Sequence, residues 1–466
     1  MTYQETLEFL FTRRASRYKN LHRIFSILGR LGHPQNAFPA VLITGTNGKG
    51  SVAKILSHIL TEAGFRVGCF TSPHLIDFRE RITINRQQIS EADVVQLTQH
   101  IVEHALEPFE REQKHLDIEG IVSFFEMTTT LAFLYFARQN VDLAVLEVGI
   151  GGRLDATNSS NPMVSVITNV GLDHQNFLGD SIEEITREKS AIIRDNGEVV
   201  VGCQDAESLS VIEGVCRQKV AHLHRTGVRQ EQNNHIRQIV IPEICSATST
   251  VFSYHGLHEH YEHLEMPLIG EHQLANAAVV LATLEILAAK DFVADELAIR
   301  RGLISTSHQG RLECISKAPR ILVDIAHNPM GASATANALS TMFDYHHLVL
   351  IIGVLQEKDV FGILRPLLGI ADVVIFTSPT NTDRAMKAAE IASAAVKIVQ
   401  QNGRCTSDYQ NWLVCESVAE AIERASVITD RNDLICVTGS NYTVSDAILY
   451  LTSYRRERRE AQRCLL

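Results

Sequence analysis

A glycine-rich segment with a single lysine is the clearest chemical signal in the chain. It reads Thr-Gly-Thr-Asn-Gly-Lys-Gly-Ser over residues 44–51 and lies between a short apolar run and an amphipathic one. Glycines let a backbone wrap closely around phosphates, and the N–H groups at a helix N-terminus then face the anion. The spacing departs from the Walker pattern, because two residues separate Gly45 from Gly48 and a glycine separates Lys49 from Ser51. A phosphate-binding loop, with Lys49 as a point charge, is favoured over a tight turn with a surface lysine.

Three further polar loops follow predicted strands. They span 71–75, 147–158 and 169–174. Ligands of open α/β sheets bind where the carboxyl ends of the strands meet, so we expect these loops to share one edge with the phosphate loop. Magnesium prefers oxygen ligands, usually one or two from the protein together with phosphates and waters. Glu147, at the end of an apolar strand, is a candidate ligand, since a buried carboxylate needs a cation or a basic partner.

Local sequence leaves other interpretations open for the charged candidates. Glu147 could instead form a salt bridge with Arg153, and His174 could be a core or capping histidine, because histidine is an unusual magnesium ligand. Lys189 stands in Arg-Glu-Lys-Ser on a predicted helix, where its neighbours alone indicate a solvated lysine.

Alternating strands and helices must position these loops. Residues 1–35 show helical apolar spacing, including Leu10, Phe11 and Phe25. The predicted strands of the first half are 41–44, 66–72, 141–149 and 163–170, and the predicted helices include 51–64, 123–138 and 272–289. Apolar strands separated by helices predict a mostly parallel sheet covered on both faces.

The remaining segments complete a two-domain α/β architecture. Residues 228–268 are polar, rich in histidine and β-formers, and predict hairpins at the edge of the first domain. Four more strand-then-loop units follow, at 320–329, 347–355, 371–379 and 433–440. We therefore predict a P-loop-type domain at 1–296 and a smaller Rossmann-like domain at 297–466.

Composition narrows the class of protein. The chain has 466 residues, 45% of them hydrophobic, and a formal net charge of −11, which argues against a nucleic-acid partner. Its nine cysteines are scattered without a Cys-x-x-Cys pair, which is typical of reduced thiols and of a cytoplasmic protein. The N-terminus lacks a signal-peptide core, and no apolar run is long enough for a membrane span.

Taken together, the motifs resemble those of folylpolyglutamate synthases and bifunctional dihydrofolate synthases, relatives of the Mur peptidoglycan ligases. In the first half these motifs are GTNGKGS at 45–51, FTSPHL at 70–75, ERITI at 80–84, SFFEM at 123–127, LEVGIGGRLDATN at 146–158, LDH at 172–174 and REKSAI at 187–192. In the second half they are HQLANAA at 272–278, QGRLE at 309–313, DIAHNP at 324–329 and VTGSNY at 437–442. The resemblance covers nearly the whole chain.

The resemblance implies a ligase reaction with small-molecule substrates. A folate or pteroate carboxylate attacks the γ-phosphate of ATP, and the amino group of L-glutamate then attacks the acyl phosphate. Three anions meet in one site, so cations must offset their repulsion. The family implies two Mg²⁺ sites, with K⁺ as a further candidate, and we expect a monomer without nucleic-acid or membrane partners.

The resemblance also assigns roles to residues. The catalytic group would be Lys49, Glu147, His174, Lys189 and Arg311. ATP would contact Thr46, Asn47, Gly48, Lys49, Gly50, Ser51, Asn276, Arg311 and Asp324. Metal ligands would be Ser72, Glu147, His174 and Lys189, the last as a carbamate formed with CO₂. The pterin or pteroate pocket would be lined by Phe124, Phe125, Glu126, Met127, Leu154, Asp155 and Ala156. Glutamate would contact His327 and Ser440.

Some questions stay open at this level. Ser190 and Ala191 replace the usual Ala-Gly after the lysine, and Asn441 replaces the usual Leu after Gly-Ser. The histidines at 255–263 have no family role, and a surface hairpin is favoured over a metal site. The SFFEM and LDATN motifs favour a bifunctional enzyme over a synthase that only extends folates. The alternatives are a Mur-type ligase with another carboxylate acceptor and a nucleotide-binding switch without ligase activity.

Overall fold

The computed structural model describes residues 1–13, 20–115, 122–203, 205–228, 238–401 and 411–464. The chain divides into two compact units, which are considered separately. The first comprises Met1–Glu243, Val251–Pro267 and Gln273–Thr306. The second comprises Ile244–Thr250, Leu268–His272 and Ser307–Leu466. No helix among the described residues is long and apolar enough to cross a membrane.

The α-helices and β-strands are numbered in chain order. The helices are α1 Tyr3–Phe11, α2 His22–Arg30, α3 Lys49–Glu62, α4 Glu91–Ile101, α5 Glu107–His115, α6 Phe124–Arg138, α7 Gln175–Leu178, α8 Ile182–Ser190, α9 Ala206–Lys219, α10 Glu271–Ala288, α11 Glu296–Ile304, α12 Pro329–Met342, α13 Val360–Leu368, α14 Ala388–Gln401, α15 Val418–Ile428 and α16 Asn441–Cys464. The strands are β1 Ala40–Thr44, β2 Val67–Phe70, β3 Ile82–Ile84, β4 Gln87–Gln88, β5 Leu143–Glu147, β6 Val164–Ile167, β7 Glu198–Val201, β8 His222–Val228, β9 Gln238–Cys245, β10 Thr250–His255, β11 His260–Met266, β12 Glu313–Lys317, β13 Arg320–Val323, β14 Leu348–Ile352, β15 Val373–Phe376, β16 Trp412–Val414 and β17 Leu434–Thr438.

In the described part of the chain, the first sheet has eleven strands in the order β11-β10-β9-β8-β7-β6-β1-β5-β2-β3-β4. Its centre, β6-β1-β5-β2, is parallel throughout, with Val41 level with both Val145 and Val164. All five residues of β1 are buried, as expected for a parallel strand covered on both faces. The carboxyl ends of these four strands therefore meet at one edge, and the predicted parallel sheet is confirmed.

The long polar segment after β8 supplies the edge strands β9, β10 and β11 of this sheet. Strand β9 pairs in parallel with β8, so the edge is not built of hairpins alone. The carboxylate of Glu285 on α10 accepts hydrogen bonds from the backbone N–H groups of Leu257, His258 and Glu259 in the β10–β11 turn. The histidine-rich segment 255–263 is thus a hairpin fastened to α10.

The N-terminal helical segment is two helices, α1 and α2, rather than one continuous apolar stripe. Leu10 and Ile24 are fully buried, as their spacing predicts. Phe11 and Phe25, which directly follow Leu10 and Ile24, are 50% and 44% exposed. Both rings lie one position off the buried face of their helices, where the 3.6-residue period turns them outward.

The described residues of the second unit form a six-stranded sheet in the order β12-β13-β17-β14-β15-β16. Its strands are parallel except for β12, which pairs antiparallel with β13. Buried aliphatic residues of β14 and β17 pack against α12, α13 and α14. The smaller Rossmann-like domain is therefore present.

The boundary between the units differs in detail from the one proposed at 296/297. Helix α11 lies wholly in the first unit, whose last segment ends at Thr306. Gly302 explains this placement, because a Cβ atom there would lie 2.4 Å from the Cα of Ile59 on α3. The close approach requires glycine and packs α11 against the helix that follows the phosphate loop.

Candidate active site

The glycine-rich loop connects β1 to α3, as predicted. Gly48 is the N-cap of α3 and has a left-handed backbone, with φ +82°. A Cβ atom at Gly48 would lie 2.3 Å from Oδ1 of Asn276 on α10. Both the backbone conformation and the proximity of Asn276 therefore require glycine. The structure thus brings two of the predicted ATP-binding residues together.

The loop after β6 holds the phosphate loop in shape. The backbone N–H of Thr46 donates to the Asn169 carbonyl at 3.0 Å, and the N–H of Asn47 donates to Asn169 Oδ1 at 2.8 Å. The hydroxyl of Thr168 donates to the Asn47 carbonyl at 2.6 Å. These bonds preorganise the loop at the N-terminus of α3, where the helix dipole favours an anion.

Lys49 folds back over its own loop. Its Nζ donates to the carbonyls of Gly45 at 2.9 Å and Thr46 at 3.1 Å. The ammonium group is thereby anchored at the loop, and Gly50 and Ser51 continue the first turn of α3 behind it. A lysine held in this way places one positive charge at the position expected for phosphates.

Glu147 and Ser72 lie next to each other at the same edge. Glu147 ends β5 level with Ile43 of β1 and is only 4% exposed. Its Oε2 accepts a hydrogen bond from the Ser72 backbone N–H at 2.9 Å. Arg153, the other partner considered for Glu147, pairs with Glu188 at 2.8 Å. The buried carboxylate of Glu147 is an oxygen donor that suits Mg²⁺, and its bond to the Ser72 backbone brings a residue with a hydroxyl group next to it.

His174 follows β6 and is accompanied by Asp173, which the sequence reasoning did not single out. His174 has a left-handed backbone, with φ +53°, and its N–H donates to Asp173 Oδ1 at 2.8 Å. The Asp173 side chain is only 8% exposed. Its position directly before His174, in a loop after a buried strand, was the available signal.

Lys189 is buried near the end of α8 with 3% exposure, so the interpretation as a solvated lysine was wrong. Burial, reinforced by the positive charge of Lys49 and opposed by Asp173, lowers the pKa of Lys189 to about 7. Half of such amines are neutral near pH 7, whereas an ordinary lysine is almost fully protonated. The charges of Lys49 and Asp173 therefore act on the Lys189 amine, which indicates that the three side chains lie in one region.

Metal binding at this edge fits the residues present. Among the described residues, no group of three or more His, Cys, Asp or Glu side chains forms a ready-made metal cluster. Mg²⁺ does not need one, because it commonly takes one or two protein ligands and completes its shell with phosphates and waters. Glu147 and Ser72 supply such a pair.

The residues predicted to line the pteroate pocket divide into partly buried ones and buried structural ones. Phe124 and Phe125 are partly buried, whereas Met127 is 1% exposed and belongs to the core. Glu126 is also 7% exposed, and its carboxylate binds Arg23 Nε at 3.1 Å and the Ser123 hydroxyl at 2.7 Å. The structure therefore places Glu126 as the support of the first turn of α6.

The second half of that pocket is a loop organised by one carboxylate. Asp155 accepts hydrogen bonds from the backbone N–H groups of Gly149, Ile150 and Thr157. Burial raises the pKa of Asp155 despite these bonds. Ala156 is 5% exposed, and Leu154 is partly buried. Asp155 thus shapes the loop that follows Glu147.

The predicted residues of the second unit cluster at the carboxyl end of β13 and β17. Asp324 accepts hydrogen bonds from the N–H groups of Leu312 and Ala326, which fixes the loop that carries Arg311. Ser440 is fully buried and accepts from the Thr443 N–H at 3.1 Å, as a helix cap does. The Nδ1 atom of His327 lies 3.0 Å from the carbonyl oxygen of Ile325.

Comparison with known protein families gives two matches. Residues 93–284 match the Mur ligase middle domain, and residues 310–441 match the Mur ligase glutamate ligase domain. The dihydrofolate synthase/folylpolyglutamate synthase of Bacillus subtilis is 32% identical over 91% of this chain and 93% of its own. The enzyme of the same description from Mycobacterium tuberculosis is 36% identical over 81% of this chain and 77% of its own.

Solved structures agree with these matches. A Mycobacterium tuberculosis folylpolyglutamate synthase complexed with ADP and AMPPCP aligns with a TM-score of 0.85 and 33% identity, over 96% of this chain and 97% of its own. Escherichia coli FolC in complex with DHPP and ADP aligns with a TM-score of 0.82 and 28% identity, over 98% of this chain and 99% of its own.

Proposed function

The chain belongs to the Mur ligase family, in the group of folylpolyglutamate and dihydrofolate synthases, and on that premise we propose that it joins L-glutamate to a folate carboxylate with hydrolysis of ATP to ADP. The observation that carries the proposal is the convergence of four loops at the carboxyl edge of β6-β1-β5-β2. They supply the glycine loop with Lys49, the Ser72–Glu147 pair and the Asp173–His174 pair.

These residues suit acyl-phosphate chemistry. A carboxylate is a poor acyl donor to an amine until one of its oxygens becomes a leaving group. In the proposed reaction that oxygen attacks the γ-phosphorus and ADP departs. The glutamate amine then attacks the carbonyl carbon and releases phosphate with that oxygen. Lys49 and the N–H groups of α3 offset negative charge in both steps, which is the main task of a phosphoryl-transfer site.

Magnesium is proposed at the same edge, held by Ser72, Glu147 and His174, where it would neutralise phosphate charge. K⁺ and the number of Mg²⁺ sites remain proposals. We also propose that ATP contacts Thr46, Asn276, Arg311 and Asp324, and that glutamate contacts His327 and Ser440. A cytoplasmic location and a monomeric state are also retained as proposals.

The finer proposal is bifunctionality, meaning that dihydropteroate is accepted as well as tetrahydrofolate. The relatives from Bacillus subtilis, Mycobacterium tuberculosis and Escherichia coli carry both activities in their names. The SFFEM and LDATN segments that favoured this interpretation both approach Gly149, since a Cβ atom there would lie 2.7 Å from the Phe125 ring and 3.1 Å from Asp155 Oδ2.

A substrate panel tests the function. Purified protein is incubated with Mg·ATP, L-glutamate and one acceptor, and products are identified by mass spectrometry while ADP is measured. We expect one glutamyl residue to be added to tetrahydrofolate and to dihydropteroate. The variant Lys49→Ala should lose turnover, whereas Lys317→Ala on exposed β12 should retain it.

Other outcomes have distinct meanings. Turnover with tetrahydrofolate alone would reject bifunctionality and keep the ligase. Product only with a nucleotide-linked peptide carboxylate would replace the proposal by a Mur-type ligase. ATP binding without any amide product would indicate a nucleotide-binding switch.

Carbamylation of Lys189 is a separate proposal, supported by its burial and its lowered pKa. Its neutral amine would add to CO₂ and release a proton, giving a carboxylate-like ligand for a cation. We expect Lys189→Ala to lose about 100-fold or more in kcat, in the range of losing one electrostatic catalytic group. Acetate should restore part of it. Full activity of Lys189→Arg, which keeps a charge but cannot form this carbamate, would contradict the modification.

A further inference from the structure

Phe11, at the end of α1, is half exposed to solvent although its ring contacts three other aromatic rings. Its side chain is 50% exposed, although its ring stacks on Phe124 with 5.3 Å between centroids and 27° between planes. It also meets the ring of Phe78 edge-on at 6.4 Å and lies 6.1 Å from the ring of His74. A residue with three ring partners has a fixed position, so its open face is a presented surface rather than a mobile one.

The partners of Phe11 are themselves held firmly. Phe78 is only 3% exposed, and the buried guanidinium group of Arg81 lies 5.1 Å from the centre of the Phe124 ring. Arg81 Nε also donates to His74 Nδ1 at 2.7 Å. Stacking and cation–π contacts of this kind favour defined ring orientations. The cluster of Phe11, His74, Phe78, Arg81 and Phe124 is therefore a rigid aromatic wall.

This aromatic wall lies beside the candidate active site. His74 is two residues from Ser72, whose N–H binds Glu147. Phe124 begins α6, and the next residue, Phe125, packs against Gly149 in the loop after Glu147. The wall thus connects the region of Ser72 and Glu147 with a half-exposed aromatic face on α1.

We propose that Phe11 is an acceptor-binding residue, which presents its exposed face to the flat heteroaromatic ring system of the folate-type substrate. The inference rests on the proposed function and adds a contact from the N-terminal helix that the family motifs do not include. Aromatic side chains bind conjugated rings by offset stacking and by burial of both faces. Phe11 meets this need with its ring already oriented.

Phe25 provides a matched control for Phe11. It lies on α2, in the same N-terminal segment, and is 44% exposed. Among the described residues it makes none of the aromatic contacts found for Phe11. Phe25→Ala therefore removes the same side chain at similar exposure without touching the aromatic wall.

Steady-state kinetics test the proposal. We expect Phe11→Ala to raise the KM for the acceptor about tenfold, the effect of losing one aromatic stacking partner. The KM values for ATP and glutamate should stay within twofold, and Phe11→Trp should restore acceptor binding. Phe25→Ala should match the wild type in all these constants. Thermal unfolding of each variant shows whether the fold is kept, and Phe11→Leu replaces Phe11→Ala if the latter does not fold.

Three results would overturn the inference. One is an unchanged acceptor KM in a folded Phe11 variant without an aromatic ring. Another is a lowered acceptor KM, which would mean that Phe11 occupies the place of the substrate ring. The third is an equal rise in the acceptor KM for Phe25→Ala. Failure of the proposed function would look different, because the wild-type enzyme itself would then show no turnover. In that case, equilibrium binding of folate to the wild type and to Phe11→Ala decides the inference.

Discussion

At the residue scale, the phosphate loop depends on Gly48, which any other residue would replace at a cost in free energy. Gly48→Ala would place a Cβ atom 2.3 Å from Asn276 Oδ1, on a backbone with φ +82°. A left-handed conformation alone costs about 1–2 kcal/mol for a non-glycine residue. We expect the KM for ATP to rise at least about tenfold, since 1.4 kcal/mol corresponds to a factor of ten.

Gly214→Ala is the control for this substitution. Gly214 lies within α9, and an added Cβ atom there meets nothing within 4 Å. Alanine should stabilise this helix by about 0.5–1 kcal/mol and leave the KM for ATP unchanged. An unaltered KM in Gly48→Ala would contradict the role of the close contact between Gly48 and Asn276.

At the element scale, the start of α6 is held by a buried ion pair with α2. Arg23 and Glu126 are each 7% exposed, and Glu126 also closes the capping box with Ser123. Removing one partner of a buried pair leaves an uncompensated charge, which costs about 3–5 kcal/mol. We therefore expect Arg23→Met to lower the free energy of unfolding of the first unit by about 3 kcal/mol in urea titrations.

The double variant Arg23→Met/Glu126→Met separates charge from packing. It removes both charges and should recover most of the lost free energy, because apolar residues of similar volume often replace buried ion pairs without loss. A double variant as unstable as the single one would show that the Ser123 capping box, rather than the ion pair, holds the start of α6.

The positions of the strands that bear the candidate site residues were easier to predict from the sequence than the contacts between elements. Strands β1, β5, β6, β14 and β17 follow continuous apolar runs, which is why their positions were predictable. The β8–β9 pairing could not be predicted, because polar edge strands carry little periodic signal.

The candidate site was predictable only in part, for a related reason. Lys189 shows the limit most clearly, since it stands in a charged stretch of the sequence and yet is only 3% exposed in the fold. Only the resemblance pointed to it. Phe11 shows a second limit, because apolar helical spacing predicts the helix but does not tell which of the adjacent residues Leu10 and Phe11 is exposed. Asp173 was missed because His174 beside it had the more recognisable motif.

At the scale of the whole molecule, each unit contains a partly buried histidine whose pKa is lowered by burial. His58 lies on α3 of the first unit, and His272 lies at the start of α10 in the second. Burial is the main cause that lowers the pKa of each to about 4. An unfolded histidine has a pKa of about 6.5, so the two units carry the same kind of acid sensitivity.

The sign of the effect follows from proton binding. Between pH 6.5 and 4 the unfolded chain binds more protons than the folded one, so the free energy of unfolding decreases as pH falls through this range. The stabilisation is complete above pH 6.5 and lost below about 4. We expect calorimetry to show a loss of about 2–4 °C in Tm for each kcal/mol lost, in the transitions of both units.

Single histidine substitutions show which residue causes the loss of stability at low pH. His58→Gln should flatten the pH dependence of the first unit alone, and His272→Gln that of the second, because glutamine takes up no proton in this range. His22→Gln, at an exposed position of α2, should leave both curves unchanged. If His58→Gln and His272→Gln each altered both transitions equally, the units would unfold as one cooperative block. If neither altered the curves, the two histidines would not be the source of the acid sensitivity.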